Sequence, residues 1–355
     1  MKIIFIPFAK DNPYQEELAA SLSNFGVTVI GGIGFSNFSL TLSLVKIISK
    51  NWKPAILHIH WLDPYMYDKS RFIRILKSII FVIDILIIKL LGIAIVWTVH
   101  NLRMHDSKFF KLEFAIISFF VRLCNGIIVH TNSAFDNVIT HYDVSPDLIS
   151  VIPHGNYITR YKNNTSRTDA RIKLKIRENE HVFLFFGKIR PYKGVEKLIE
   201  KFNAIDQKNM KLIIAGKAVN PDIAFNVKKM CQDSQNILPV TSFIPDDEIQ
   251  IFMNAADVVV LPYKKIFTSG TVLLAMSFGK AIIAPSTGSL PDILDVNGSF
   301  LYDSQDSSGL KNAMEKSLNH DLKAMGDYNF EKAKTYDWHT IAEKTYSFYR
   351  KHCGQ

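Results

Sequence analysis

What the chain lacks narrows its chemistry. Its 355 residues include three cysteines, Cys124, Cys231 and Cys353, scattered without metal spacing. That excludes a zinc module or a disulfide framework and fits a reducing, cytoplasmic compartment. No two aspartates are separated by a single residue, so there is no DxD pair to hold a divalent ion. No GxGxxG follows the first apolar run, where FIPFAKDNPYQ stands; a dinucleotide-dependent oxidoreductase therefore ranks last. The opening MKIIFIPF is too short and too strand-like for a signal peptide. The apolar stretch 78–91 is broken by Asp84 and Lys89, short of the ~18–20 apolar residues of a spanning helix. No short-period repeat is present.

What is there is apolar and alternating. Hydrophobic residues make up 48% of the chain, enough for packed cores, and the length suits about two domains. Short β-branched runs at 2–7, 27–31, 55–60, 93–99, 126–130 and 148–153 alternate with helical runs at 15–25, 40–51, 68–91, 108–124 and 133–141. Strands buried on both faces and separated by helices predict a parallel sheet with crossover helices. The stretch 156–180 is polar and reads as a connection ending in a short helix. The alternation then restarts, with strands predicted at 181–187, 211–215, 237–240, 258–261, 281–284 and 299–302. The expected fold is α/β: two doubly wound Rossmann-like domains, residues 1–158 and 159–336. The chain closes on a predicted amphipathic helix over 337–355. Ligands are expected at the carboxyl ends of the strands, in a cleft that the domains face.

The net charge of +9 and pI near 9.2 point to an anionic partner. Between residues 69 and 122 nine basic residues stand against Asp84, Asp106 and Glu113. The same stretch is rich in Ile, Leu and Phe, unlike a nucleic-acid arm. Arg71, Arg74 and Lys77 recur at a spacing of three, and Lys108 and Lys111 stand beside Phe109, Phe110 and Phe114. This composition suits a helix lying on an anionic membrane surface; a core helix with a basic solvent edge is the alternative.

Two motifs point to phosphate. In LPYKKIFTSGTVLLAMSFGKAIIAP, residues Thr268, Ser269, Gly270 and Thr271 sit where a turn becomes a helix. Unpaired N–H groups and a partial positive charge gather there. In VFLFFGKIRPYKG, Gly187 ends a strand and Lys188, Arg190 and Lys193 surround the turn. Three cations at a strand-to-helix turn suit a diphosphate held without a metal. Each motif alone is also compatible with a capped helix or a solvated loop. Histidines gather at the predicted strand ends of the first half: His58, His60, His100, His105, His130 and His154. Asp63 and Asp106 follow histidines there, and either could act as a general base.

Together these residues resemble the family 4 group of nucleotide-sugar glycosyltransferases, with the GT-B fold, over nearly the whole chain and most strongly from Phe183 to Pro291. Gly187, Lys188, Lys193 and Gly194 follow the family pattern G-R-x-x-x-x-K-G, and SFIPDDEIQIFMNAADVVVLPY is similar to the segment that precedes its donor loop. The resemblance implies that Lys188 or Arg190, with Lys193, grips the donor diphosphate. It places Ser242, Phe243 and Ile244 near the nucleobase, Tyr263 in the donor site, and His100 of TVHN near the transferred sugar. YDWHTIAEKTYSFY is similar to the family's closing helix, which implies that 337–355 crosses back onto the first domain. The family's E-x7-E pair falls on Ile266 and Leu274, so neither carboxylate is present. That variant looks like bacterial exopolysaccharide, capsule and O-antigen transferases, some of which invert. An inverting enzyme needs a base on the first domain: Asp106, then His105 or Asp63. Asn12, His60 and Trp61 are the expected acceptor contacts.

The expected activity is transfer of a hexose, mannose or glucose, from a UDP- or GDP-linked sugar to a lipid-linked saccharide at the inner face of a bacterial membrane. No metal, cofactor or nucleic acid is expected. A nucleotide-sugar epimerase and a non-catalytic partner subunit are the alternatives.

Overall fold

The computed structural model describes residues 1–8, 12–31, 39–48, 53–68, 70–102, 110–206 and 208–354. The chain divides into two units. The first comprises Met1–Gly155 and Trp338–Gln355, the second Asn156–Asp337.

In the first unit, β1 (Lys2–Ile6), β2 (Thr28–Gly31), β3 (Ile56–Ile59), β4 (Ala94–Thr98), β5 (Gly126–Val129) and β6 (Ile149–Val151) form a parallel sheet in the order β2-β1-β3-β4-β5-β6. Every residue of β3 and β4 is buried, as a sheet with helices on both faces demands. The second unit repeats the plan with β7 (His181–Phe186), β8 (Met210–Ala215), β9 (Ile237–Val240), β10 (Val258–Val260), β11 (Ala281–Pro285) and β12 (Ser299–Tyr302). Their order is β12-β11-β10-β7-β8-β9. Strand order reverses between β1 and β3 and between β7 and β10. At such points the flanking loops diverge and leave a crevice at the carboxyl ends.

The helix Trp338–Cys353 completes the first unit. Trp338 meets Tyr14 with ring centroids 5.5 Å apart, and the Tyr349 hydroxyl lies 2.6 Å from His58 Nδ1. The polar stretch after Gly155 is less of a linker than its composition suggests. Ser166 caps the helix Arg167–Leu174 by accepting from the Asp169 N–H. Arg171 on that helix is fully buried. Its guanidinium donates to the carbonyls of Ala255, Glu178 and Glu180 and to Asp257 Oδ2 at 2.8 Å.

The basic membrane face expected from Arg71, Arg74 and Lys77 is corrected by the structure. A short turn of helix, Asp63–Met66, precedes a long helix, Arg71–Leu90. Arg74 and Lys77 point inward and are buried. Arg74 donates to the Asp68 carbonyl at 2.7 and 3.0 Å and pairs with Glu113 at 3.4 Å. Lys77 Nζ donates to the carbonyls of Pro64 and Tyr67, both at 3.2 Å. Asp84 also points inward, accepting from the Ser39 hydroxyl and the Leu40 N–H. These carbonyls and carboxylates outbid water for the two cations. Of the three basic residues only Arg71 stays exposed. Lys108 and Phe109 lie outside the described residues.

Candidate active site

In the second unit the two phosphate motifs converge at the carboxyl ends of β7 and β10. Gly187 ends β7 with φ +121°, and a Cβ there would lie 3.3 Å from Thr271 Oγ1 and 3.4 Å from Lys193 Nζ. A hydroxyl and an ammonium thus both close in over a residue with no side chain, where a Cβ would crowd them. Gly194, at φ +71°, lets the helix Val195–Asn203 begin against the neighbouring strand; a Cβ there would stand 2.0 Å from the Pro262 carbonyl oxygen. The Lys264 N–H donates to the Tyr192 carbonyl at 2.8 Å and ties the two loops together. Tyr263 is buried, with its hydroxyl 3.1 Å from Ser269 Oγ and its ring 5.1 Å from Lys193 Nζ. It supports the site from below.

Ser269 is the N-cap of the helix Gly270–Ser277, and its side chain makes no capping bond. The first N–H groups of this helix carry the positive end of its dipole. Thr268 and Gly270 flank Ser269 and are half-buried. Arg190 is half-buried and Lys188 exposed on the same turn. Ser242 and Phe243 are exposed in the segment after β9. The side chain of Ile244 belongs to the hydrophobic core, which leaves its backbone to the loop. Leu274, where the second family glutamate would fall, is also in that core.

In the first unit the histidines form one cluster around Tyr14. The Tyr14 ring centroid lies 5.7 Å from His60, 5.1 Å from His100, 5.4 Å from His130 and 4.7 Å from His154. His58 stacks on His60 at 4.3 Å and bonds through Nε2 to Thr98 Oγ1 at 2.7 Å. His60 Nδ1 lies 3.3 Å from His100 Nε2. His130 Nδ1 donates to the Ile152 carbonyl and His154 Nδ1 to that of Gly155. Burial holds all five neutral. It pushes His58 and His154 down to about 3 and His130 to about 4, and carries His60 and His100 well below their usual value. Among the described residues no group of three or more His, Cys, Asp or Glu is placed to hold a metal ion.

Beside this cluster lies a small cavity of about 20 Å³, lined in part by His60, Trp61, Asp63, His100, Asn101 and Ile117. Trp61 lies nearly flat on His100, centroids 4.5 Å apart and planes 16° from parallel. Asp63 is half-buried on its rim. Asn12 caps the helix Pro13–Ser23 by accepting from the Tyr14 N–H at 3.1 Å, so its carbonyl oxygen is already engaged. His105 and Asp106 lie outside the described residues. Sequence reasoning missed Tyr14, the hub of the histidines, and Thr98, which bonds both Tyr14 and His58. Their role depends on contacts between a helix and strands far apart in the chain.

Residues 180–320 match the family model for glycosyl transferases group 1, and residues 4–158 match that for glycosyltransferase family 4. Over 311 residues the chain is 27% identical to a GDP-mannose:glycolipid 4-beta-D-mannosyltransferase of Xanthomonas campestris pv. campestris, covering 87% of this chain and 80% of that one. Its fold is that of sucrose-phosphate synthase from Thermosynechococcus elongatus (TM-score 0.78, 17% identity, 99% and 98% of the two chains). It is also that of WaaG, a glycosyltransferase involved in lipopolysaccharide biosynthesis (TM-score 0.68, 15% identity, 97% and 98%). The two family models meet on two six-stranded parallel sheets joined in one chain, and the protein belongs to the family 4, group 1 glycosyltransferases of GT-B fold.

Proposed function

We propose that this glycosyltransferase moves a hexose, mannose or glucose, from a GDP- or UDP-linked sugar to a lipid-linked saccharide in the synthesis of a bacterial surface polysaccharide. The nucleotide sugar is a substrate, and the reaction needs no metal. The observation that carries this reading is the meeting of Lys193 Nζ and Thr271 Oγ1 over Gly187. The donor and acceptor named for the Xanthomonas relative, GDP-mannose and a glycolipid, support the choice of substrates.

The diphosphate lies over Gly187, held by Lys193, Arg190, Thr271 and the N–H groups that open the helix Gly270–Ser277. As the bond from the anomeric carbon to the phosphate oxygen breaks, negative charge grows on that oxygen, where fixed donors contribute most. Phe243 offers a ring to the nucleobase. Trp61 offers a flat face to the acceptor sugar, beside His60 and His100. The acceptor hydroxyl attacks the anomeric carbon and passes its proton to Asp63, the carboxylate that lines the cavity among the described residues. Neither family glutamate is available at Ile266 or Leu274, which favours one inverting displacement. An acceptor carried on a lipid places the enzyme at the cytoplasmic face of the membrane, with no nucleic-acid partner.

The test incubates purified protein with GDP-mannose, UDP-glucose and extracted lipid-linked saccharides in EDTA, and reads the anomer of the product by NMR. A new β-linkage formed without metal is the expected result. A strict magnesium requirement or a retained α-linkage refutes the mechanism.

A further inference from the structure

The helix Arg71–Leu90 is apolar on its outward face as well as its inward one. Its buried stripe holds Arg74, Lys77, Ser78 and Asp84 beside Phe81, Ile85 and Ile88. Its outward stripe is Phe72, Ile75, Leu76, Ile79, Ile83, Leu86 and Leu90, at helical spacing along the whole length. Phe72 is 75% exposed, Ile79 53% and Leu90 86%. The stripe continues onto neighbouring helices through Leu42 of Leu40–Ile48 and through Leu112, Phe114 and Phe119 of Phe110–Leu123. Between the second and third helices lies a groove of about 270 Å³, lined by Ile75, Ile79, Ile83, Leu112 and Ile116 among others. Soluble proteins rarely leave so much contiguous apolar surface in water.

We infer that this face seats in the hydrocarbon of a lipid bilayer, with the helix Arg71–Leu90 lying in the membrane plane and an acyl or prenyl chain in the groove. Three observations choose that occupant. No described helix is long and apolar enough to cross a membrane. Asp84 and Glu113, the acidic residues of the two longer helices, are both buried against partners. The exposed charges of those helices, Arg71, Lys111 and Arg122, are therefore all cations, complementary to lipid phosphates. A two-fold contact with a second copy sets the same surface against itself and brings those cations together. Finally, the helix Phe110–Leu123 lines both spaces: Ile117 borders the cavity beside Trp61, and Ile116 borders the groove. A lipid-linked acceptor has its sugar and its tail in the same order. The inference rests on the acceptor reading above, and its test separates the two.

The test is flotation of the intact protein with vesicles of phosphatidylcholine containing a minority of phosphatidylglycerol, without substrate, in low salt and in 1 M NaCl. At 1 M the screening length is about 3 Å, so purely electrostatic binding is lost. The expected result is binding that survives 1 M salt and falls at least about tenfold in Ile79→Glu/Ile83→Glu and in Phe72→Ser/Leu86→Ser, as loss of buried apolar area requires. Both variants should keep the wild-type circular dichroism spectrum, and Phe72→Ser/Leu86→Ser, which lies outside the groove, the wild-type rate on a short-chain, water-soluble acceptor. Release of the wild type by salt overturns the inference in favour of surface adsorption. Failure to float, with a dimer in size-exclusion chromatography that either variant dissolves, overturns it in favour of a second copy. Salt-resistant flotation without transfer to any lipid-linked acceptor leaves the membrane face standing and sinks the acceptor reading.

Discussion

The ammonium of Lys193 stands 5.1 Å from the centre of the Tyr263 ring, and the hydroxyl of that ring bonds to Ser269. One buried aromatic therefore positions the cation of one loop and the helix start of the other. Lys193→Ala should lower kcat/KM by about 10²–10³, the cost of removing one donor to a developing charge. It should also abolish the thermal shift given by GDP or UDP. Tyr263→Phe should cost far less and act on both loops together. Wild-type turnover in Lys193→Ala refutes the diphosphate role.

Asp63 lines the cavity beside Trp61 and His100. Asp63→Asn should lower kcat by about 10²–10⁴ while leaving donor binding intact, as loss of a general base does. Asp106→Asn, compared under the same conditions, should be the milder change. The reverse order transfers the role to Asp106. Single-turnover measurements distinguish a chemical defect from slow product release.

The histidine cluster should make the protein acid-labile. His58, His130 and His154 are held down at about 3 to 4, while an unfolded histidine titrates near 6.5. Between those values the unfolded chain binds protons that the folded chain refuses. Stability is therefore full above about pH 6.5 and falls as the pH drops, by about 1.4 kcal/mol per pH unit for each histidine kept neutral. Urea titrations at pH 7, 6 and 5 should show the midpoint falling steadily. A midpoint that does not move over that range contradicts the assignment.

The fully buried Arg171 pairs with the half-buried Asp257 at 2.8 Å. Asp257→Asn should destabilise the protein by about 3 kcal/mol or more, because a buried guanidinium loses its counter-charge. Replacing Lys323, an exposed partner of Asp327, should change almost nothing. Thermal unfolding of the two variants checks the contrast.

The strands were the most legible part of the sequence. Runs such as AIVWT and HVFLFF carry β-branched and aromatic residues on both faces, which a central parallel strand alone accommodates. The donor loops were legible too, because Gly187, Lys193 and the residues 268–271 each sit at the end of such a run. The orientation of Arg74 and Lys77 was not. Spacing put them on one face, but whether that face turns inward depends on Glu113, 39 residues away, and on free carbonyls at Pro64, Tyr67 and Asp68. Ile244 shows the same limit: a loop motif says which residues are near a ligand, and core packing decides which side chains remain free to touch it.

Trp338–Cys353 has a consequence for how the molecule is made. The second unit is one uninterrupted stretch of chain, whereas the first is closed by residues that follow it. During synthesis the second unit can assemble as soon as it clears the ribosome. The first waits: until Tyr349 reaches His58 and Trp338 reaches Tyr14, its histidines lack their cover, and a nascent chain stopped before Trp338 presents them to chaperones and proteases.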